Sequence, residues 1–444
     1  VDFQAVLLYV LGVLVIVIGL AVSIALHEIG HLIPAKLFGV KVTQYMIGFG
    51  KTLFSFRRGE TEYGLKAIPL GGYVAMIGMY PPTAPGGTAR NATTGVFNQL
   101  VQDARDTSAA TIGEEEDGRT FYRLSVWKRV VIMLGGPFMN LVLGILFYAV
   151  VIMGFGLPMA STTIGTVSEC VLPSTSDRQT CESADPEAPG LAAGILPGDR
   201  IVSIDGEQID SWTQATALIR ESPGDPLTVV VERGGSEVTL EATPLLTERY
   251  STDADGNVIT DADGEPVTTE VGVLGIGSQE QLVPQPATEV LPAVGNNITA
   301  VAGIILNLPQ RLIDVANAAF GPGDRDPDGP VSVVGVGRLA GEIASLDTIP
   351  VASRISSMLG ILASLNIALL VFNLVPLVPL DGGHVVIALW EGVKRGFAKL
   401  FRRKDPGPVD AAKLMPVTFA VVLILGAMSA LLIYADIVKP ISVL

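Results

Sequence analysis

The apolar stretches Phe3 to Leu26, Val130 to Met159, Ile355 to Leu380 and Leu414 to Ala435 carry no charged residue. Each reaches the roughly 20 residues that a helix needs to cross a bilayer. Backbone amides in hydrocarbon must pair within their own segment, so the fold class reads as an α-helical polytopic membrane protein with four transmembrane helices. The first run exceeds the roughly 7–15 apolar residues of a secretory signal and no basic segment precedes it, so it is expected to be retained as a span. A composition of 49% hydrophobic and 16% charged residues fits this class.

Charge is distributed unevenly. The net value is −15, yet residues 158–350 hold 8 Lys and Arg against 29 Asp and Glu, and the remainder is mildly basic. Basic residues flank the spans at Lys36, Lys41, Lys51, Arg123, Lys128 and Arg129, and again at Lys394, Arg395, Lys399, Arg402, Arg403 and Lys404. The positive-inside rule therefore puts both regions in the cytoplasm and the acidic segment outside. The acidity argues against a nucleic-acid partner. Cys170 and Cys181, the only cysteines, fall in the outer segment and are expected to pair.

These features divide the chain. Residues 1–34 form the first span, 35–127 a cytoplasmic β-rich region and flexible loop, 128–159 the second span, and 160–250 an inserted extracytoplasmic α+β module. A linker with membrane-surface helices covers 251–349, the third span 350–390, a basic cytoplasmic loop 391–413 and the fourth span 414–438. Short strands with glycine turns fit Tyr45 to Met79, and a mobile loop fits 80–118. In the module, a helix from Trp212 to Glu221 capped by Ser211 precedes a hairpin of Leu227–Arg233 and Ser236–Ala242 turning at Gly234-Gly235. Its string G-L-A-A-G-I-L-P-G-D-R-I-V-S-I-D-G, from Gly190, resembles PDZ domains of bacterial envelope proteases. Asn91 and Asn297 begin glycosylation-like triplets, a pattern common by chance.

All three histidines lie in two short motifs attached to the apolar runs. In H-E-I-G-H, His27 and His31 are four apart, so on a helix they face one way and can share a metal, while Glu28 is left to take a proton from water. Ionisable groups at membrane depth usually mark function. Hydrolytic zinc sites commonly use three protein ligands, and Asp381, in N-L-V-P-L-V-P-L-D-G-G-H, is the best third supplier. With the N-terminus outside, the first and third spans both run inward, and the two motifs meet at similar depth near the cytoplasmic face. His384 is left out of the ligand set. Asn140, in G-P-F-M-N of the second span, fits helix packing and active-site lining equally well.

H-E-x-x-H in the first span, G-P-x-x-N in the second, a PDZ-like module and N-x-x-P-x-x-P-L-D-G in the third together resemble the site-2 protease family of intramembrane zinc metalloproteases, of the bacterial RseP-like type. The resemblance covers all four spans. It implies Zn2+ held by His27, His31 and Asp381, with Glu28 as general base. It also implies that Asn373 helps hold substrate backbone, and that Gly71, Gly72 and Tyr73 belong to a cytoplasmic, membrane-associated β-hairpin offering an edge to unwound substrate. Implied substrates are single-pass membrane proteins such as anti-sigma factors, cut in the lipid bilayer after a site-1 protease has trimmed them. One PDZ-like module rather than two, and the insertion at 80–118, depart from that pattern. The module fits a size gate and a receptor for free C-termini alike. Two other classes stay open: a membrane adaptor with a structural zinc site, which would not need Glu28, and a prenyl-protein type of membrane metalloprotease, against which L-D-G and the PDZ-like module speak.

Overall fold

The first uncharged run continues into the histidine motif as a single helix, α1 (Phe3–Leu37), in the computed structural model. Residues 3–79, 117–176, 178, 180–252, 258–261, 265–323, 325–327 and 329–441 are described. Most of the expected loop 80–118, with Asn91, lies outside them. Helix α2 (Val126–Ala149) contains Pro137 and passes into a π-helical turn at Val150–Phe155. Glycines set the crossing of α1 and α2. A Cβ on Gly30 would overlap the Gly135 carbonyl, and one on Gly135 would overlap that of Gly30, so the two backbones touch directly.

Between α1 and α2, β1 (Val42–Arg58) and β2 (Thr61–Met76) form one antiparallel hairpin. These strands are longer than the short ones expected. Gly48, Gly50 and Gly71 adopt φ of +87°, +84° and +96°, so the glycines bend the strands without ending them. As a result residues 44–47 are flanked by 62–65 on one side and 72–75 on the other. No other described strand pairs with 72–76, which remains an edge.

Helix α3 (Trp212–Glu221) lies within residues 156–284, and helices α4 (Val290–Leu306), α5 (Leu308–Phe320), α6 (Val333–Ser345), α7 (Val351–Asn373), α8 (Asp381–Leu400) and α9 (Met415–Val438) belong with α1 and α2. Where a basic loop is expected from residue 391, α8 runs on to Leu400. Among the described residues five helical segments are long and apolar enough to cross a membrane, the addition to the expected four being residues 287–306. Helix α7 runs parallel to α1: Gly19 meets Leu362, and four residues on the Asn366 amide donates to Ser23 Oγ at 3.0 Å. Helix α2 runs the other way, with Gly30 at Gly135 and His27 at Asn140.

Residues 156–284 form a second compact unit. Its main sheet has the order β10 (Ile276–Val283), β3 (Leu157–Val167), β4 (Arg200–Ile204), β6 (Leu227–Arg233), β7 (Ser236–Ala242), with the short β5 (Glu207–Gln208) on β4. Strands β8 (Leu245–Tyr250) and β9 (Thr268–Val273) form a separate pair. Helix α3 (Trp212–Glu221) is capped by Ser211, whose Oγ accepts from Gln214 N at 3.2 Å. It contributes Ala215 and Ile219 to a core with Ile164, Ile201, Ile204 and Val229. Gly234 and Gly235 both hold positive φ, the tight hairpin turn that their sequence implies. Cys170 and Cys181 are disulfide-bonded.

Asp199, buried at 1% exposure, ties this core together: it accepts twice from Arg233 at 2.7 Å and once from Leu196 N at 2.8 Å. The Arg233 guanidinium, aided by the Leu196 amide, holds its carboxyl below the usual range. A carboxyl depressed on folding contributes stability above its unfolded pKa of about 4, and that stability fades as pH falls through the folded value. Hydrogen exchange in β4 and β6 of the purified full chain, taken relative to the intrinsic amide rate at each pH, is therefore expected to accelerate below about pH 4. In Asp199→Asn it should be fast already at neutral pH, corresponding to a loss of about 1.5–3 kcal/mol.

Candidate metal centre

One turn of α1 places His27 and His31 on the same face, with ring centroids 4.8 Å apart. Asp381 comes from far along the chain, as the first residue of α8. Between α7 and α8, residues 374–380 fold back in a tight non-helical turn containing Pro376 and Pro379. Gly382 and Gly383 let that turn close: a Cβ on either would overlap the Leu374 or Leu377 carbonyl region. The two glycines thus bring the backbone close instead of breaking the helix.

The three donor atoms converge. His27 Nε2 lies 3.2 Å from His31 Nε2, and Asp381 Oδ2 lies 3.3 Å and 3.4 Å from them respectively. Hydrogen bonds to a carboxylate are normally shorter, about 2.7–2.9 Å. Tetrahedral ligands about 2.0–2.1 Å from a zinc ion sit roughly 3.3–3.4 Å apart, so the spacing fits a shared cation better. Oδ2 of Asp381 is buried without a hydrogen-bond partner, as a metal ligand's lone pair would be. Among the described residues these three form the one His, Cys, Asp and Glu group able to hold an ion.

The outer ring nitrogens fix the imidazoles. His31 Nδ1 is 2.7 Å from the Ile132 carbonyl, to which it donates, leaving Nε2 with a lone pair facing inward. Pro137 frees the carbonyl of Met133, four residues back, and not that of Ile132, so no local sequence signal marks this contact. His27 Nδ1 is 2.9 Å from the Asn140 amide nitrogen, while Oδ1 of that fully buried amide has no partner. If Nε2 faces a cation, Nδ1 carries the proton, and turning the amide by half a revolution presents Oδ1 to accept it. Asn140 thus sits behind His27. Gly136 matters as well, because a Cβ there would lie 2.6 Å from His27 Nε2.

Glu28 faces the hairpin. A Cβ on Gly72 would come within 2.9 Å of Glu28 Cγ, so the edge segment 72–76 passes directly beside this carboxylate. Gly71 bends the strand just before it, and Tyr73 directs its hydroxyl to Gln44 Oε1 at 3.2 Å. Asn373 turns back on its own helix, donating to Leu369 O at 3.0 Å, and is not among the converging groups. His384 lies on α8 and does not join the three ligand atoms.

A family described as Peptidase family M50 matches residues 15–404. The chain is also similar to zinc metalloprotease Rip1 of Mycobacterium tuberculosis (strain ATCC 25618 / H37Rv), at 31% identity over 445 residues, covering 98% of this chain and 99% of that protein. With Rip1 of Mycolicibacterium smegmatis the identity is 31% over 451 residues, covering 98% and 100% respectively.

The supporting contacts make their own prediction. Asn140→Leu removes the partner of His27 Nδ1, and Gly136→Ala pushes a methyl group against the imidazoles. Each is expected to weaken zinc binding by about 10–100-fold in a chelator competition, without loss of helix content by circular dichroism.

Proposed function

The chain belongs to peptidase family M50, and from that premise we propose that it is an intramembrane zinc protease whose centre is built by His27, His31 and Asp381 with Glu28 as general base. The convergence of the two Nε2 atoms and Asp381 Oδ2 within 3.2–3.4 Å of one another carries this reading. Bound zinc supplies Lewis acidity toward water and the peptide carbonyl. Glu28 accepts a proton as water oxygen adds to the carbonyl carbon, then returns it to the leaving nitrogen as the C–N bond breaks. Asn140 and the Ile132 carbonyl hold the imidazoles in the ligating tautomer.

Substrates are membrane proteins, and single-pass segments of the kind found in anti-sigma factors suit this site best. A transmembrane helix hides its amides, so it must unwind locally before hydrolysis. The open edge 72–76 beside Glu28 would pair with the freed backbone and hold it extended. The PDZ-like unit would lie outside and screen substrates after a first cut elsewhere, with the centre near the cytoplasmic face; the charge distribution supports that orientation. The parallel course of α1 and α7 supports four crossings. A lone further crossing by residues 287–306 would have reversed α7, so α4 is read as partly embedded.

The test uses the full chain expressed beside an anti-sigma factor lacking its outer domain. Glu28→Gln is expected to keep zinc and lose roughly 10²–10⁴-fold in cleavage rate. Asp381→Asn is expected to lose zinc and cleavage together. Cleavage surviving in Glu28→Gln at the wild-type rate would favour a structural metal site in an adaptor.

A further inference from the structure

Helix α8 buries one side and, among the described residues, leaves the other without a protein partner. Its inner face is anchored by Glu391, fully buried, which accepts from Arg129 at 2.6 Å and from Val409 N at 3.0 Å. On the outer face Leu389, Trp390, Val393, Phe397 and Leu400 recur at helical spacing and are 47–74% exposed. Phe397 and Phe401 stack with centroids 6.3 Å apart. With Trp390 they wall a notch of about 460 Å³ whose rim carries Lys394, Arg403 and Lys404. Among the described residues none of these three cations has an ion pair. Nearby Asp405 faces Arg395, at 3.5 Å. Arg402 holds φ +52°, the left-handed position after a helix that favours glycine, yet a cation stands there too.

An apolar stripe bordered by cations is the pattern of a helix lying in a membrane interface. The chain around it fixes the location: α7 ends at Asn373 and α9 begins at Met415, so α8 and its loop sit where two long apolar helices reach the same end of the bundle. We propose that α8 lies in the lipid interface at that end, with the headgroup of an anionic phospholipid in the notch formed by Trp390, Phe397, Phe401, Lys394, Arg403 and Lys404. The phosphate meets the cations while the rings lie at the acyl boundary. Because Asp381 is the first residue of α8, the same seat sets the height of the helix that delivers it.

Trp390 is the reporter. The full chain carrying Trp127→Phe and Trp212→Phe, which leaves Trp390 as the sole tryptophan, is reconstituted in bilayers of phosphatidylcholine with a minority of phosphatidylglycerol, brominated on one lipid or the other at equal bromine content. Brominated phosphatidylglycerol is expected to quench more strongly, and Lys394→Gln/Arg403→Gln/Lys404→Gln to abolish the difference. Equal quenching by both lipids before the charge substitutions, or none by either, overturns the proposal. A second measurement leaves all tryptophans in place: the ratio of phosphatidylglycerol to phosphatidylcholine retained through purification should fall about tenfold or more in the triple charge variant. An unchanged ratio overturns it equally.

Discussion

Two imidazoles and a carboxylate can share one cation inside an apolar bundle only if α1 and α7 run the same way and in fixed axial register. Hydrophobic burial cannot set that register, because lipid tails are as apolar as the side chains they would replace. Small groups and polar contacts do so instead. The Asn366 amide, fully buried, donates both to Ser23 Oγ and to its own Leu362 carbonyl. Membrane hydrogen bonds of this kind average only about 0.6 kcal/mol, so this one serves alignment more than stability. One helical turn beyond Ser23 stands His27, and the chain beyond α7 folds back to place Asp381 beside it.

Helix α2 completes the centre from the opposite direction. Its glycines let it approach α1 backbone to backbone at Gly30, which brings the Ile132 carbonyl and the Asn140 amide behind the two rings. The hairpin closes the remaining side, and Gly72, having no side chain, brings its backbone beside Glu28. Backbone of a strand edge and a carboxylate therefore share one space, the combination that an extended peptide in the site would need.

That His27 and His31 share one face was legible because an i, i+4 spacing has only one meaning on a helix. That Asp381 comes beside them was legible because four ordered motifs and the parity of the spans restrict which distant carboxylate reaches the same depth. The rest depended on tertiary contacts that no local pattern encodes. Asn140 reads as a lining residue or a packing residue until the Nδ1 atom of His27 is seen beside it. Asn373, expected at the substrate, donates to the Leu369 carbonyl of its own helix. Glycine misleads most. In β1 and β2 it bends long strands where turns were expected, and after Asp381 it permits a close approach of the backbone.

The helices that do not match the expected spans face a docking problem that the long ones do not, since a short segment has little surface to pack and could remain in lipid. Each of two solves it with a buried ion pair joined to a backbone amide. At α6, Asp436 pairs with Arg325 and accepts from Ser332 N at 2.7 Å, with Gly335 leaving room for the carboxylate. At α8, Glu391 pairs with Arg129 and accepts from Val409 N. Breaking one member of such a pair typically costs about 3–5 kcal/mol, because the other charge is left buried and uncompensated. The penalty falls on the wrong arrangement, which is how an ion pair specifies geometry even where it adds little net stability. The clamp at Glu391 thus fixes which face of α8 meets α2, and with it the direction in which Asp381 enters the centre.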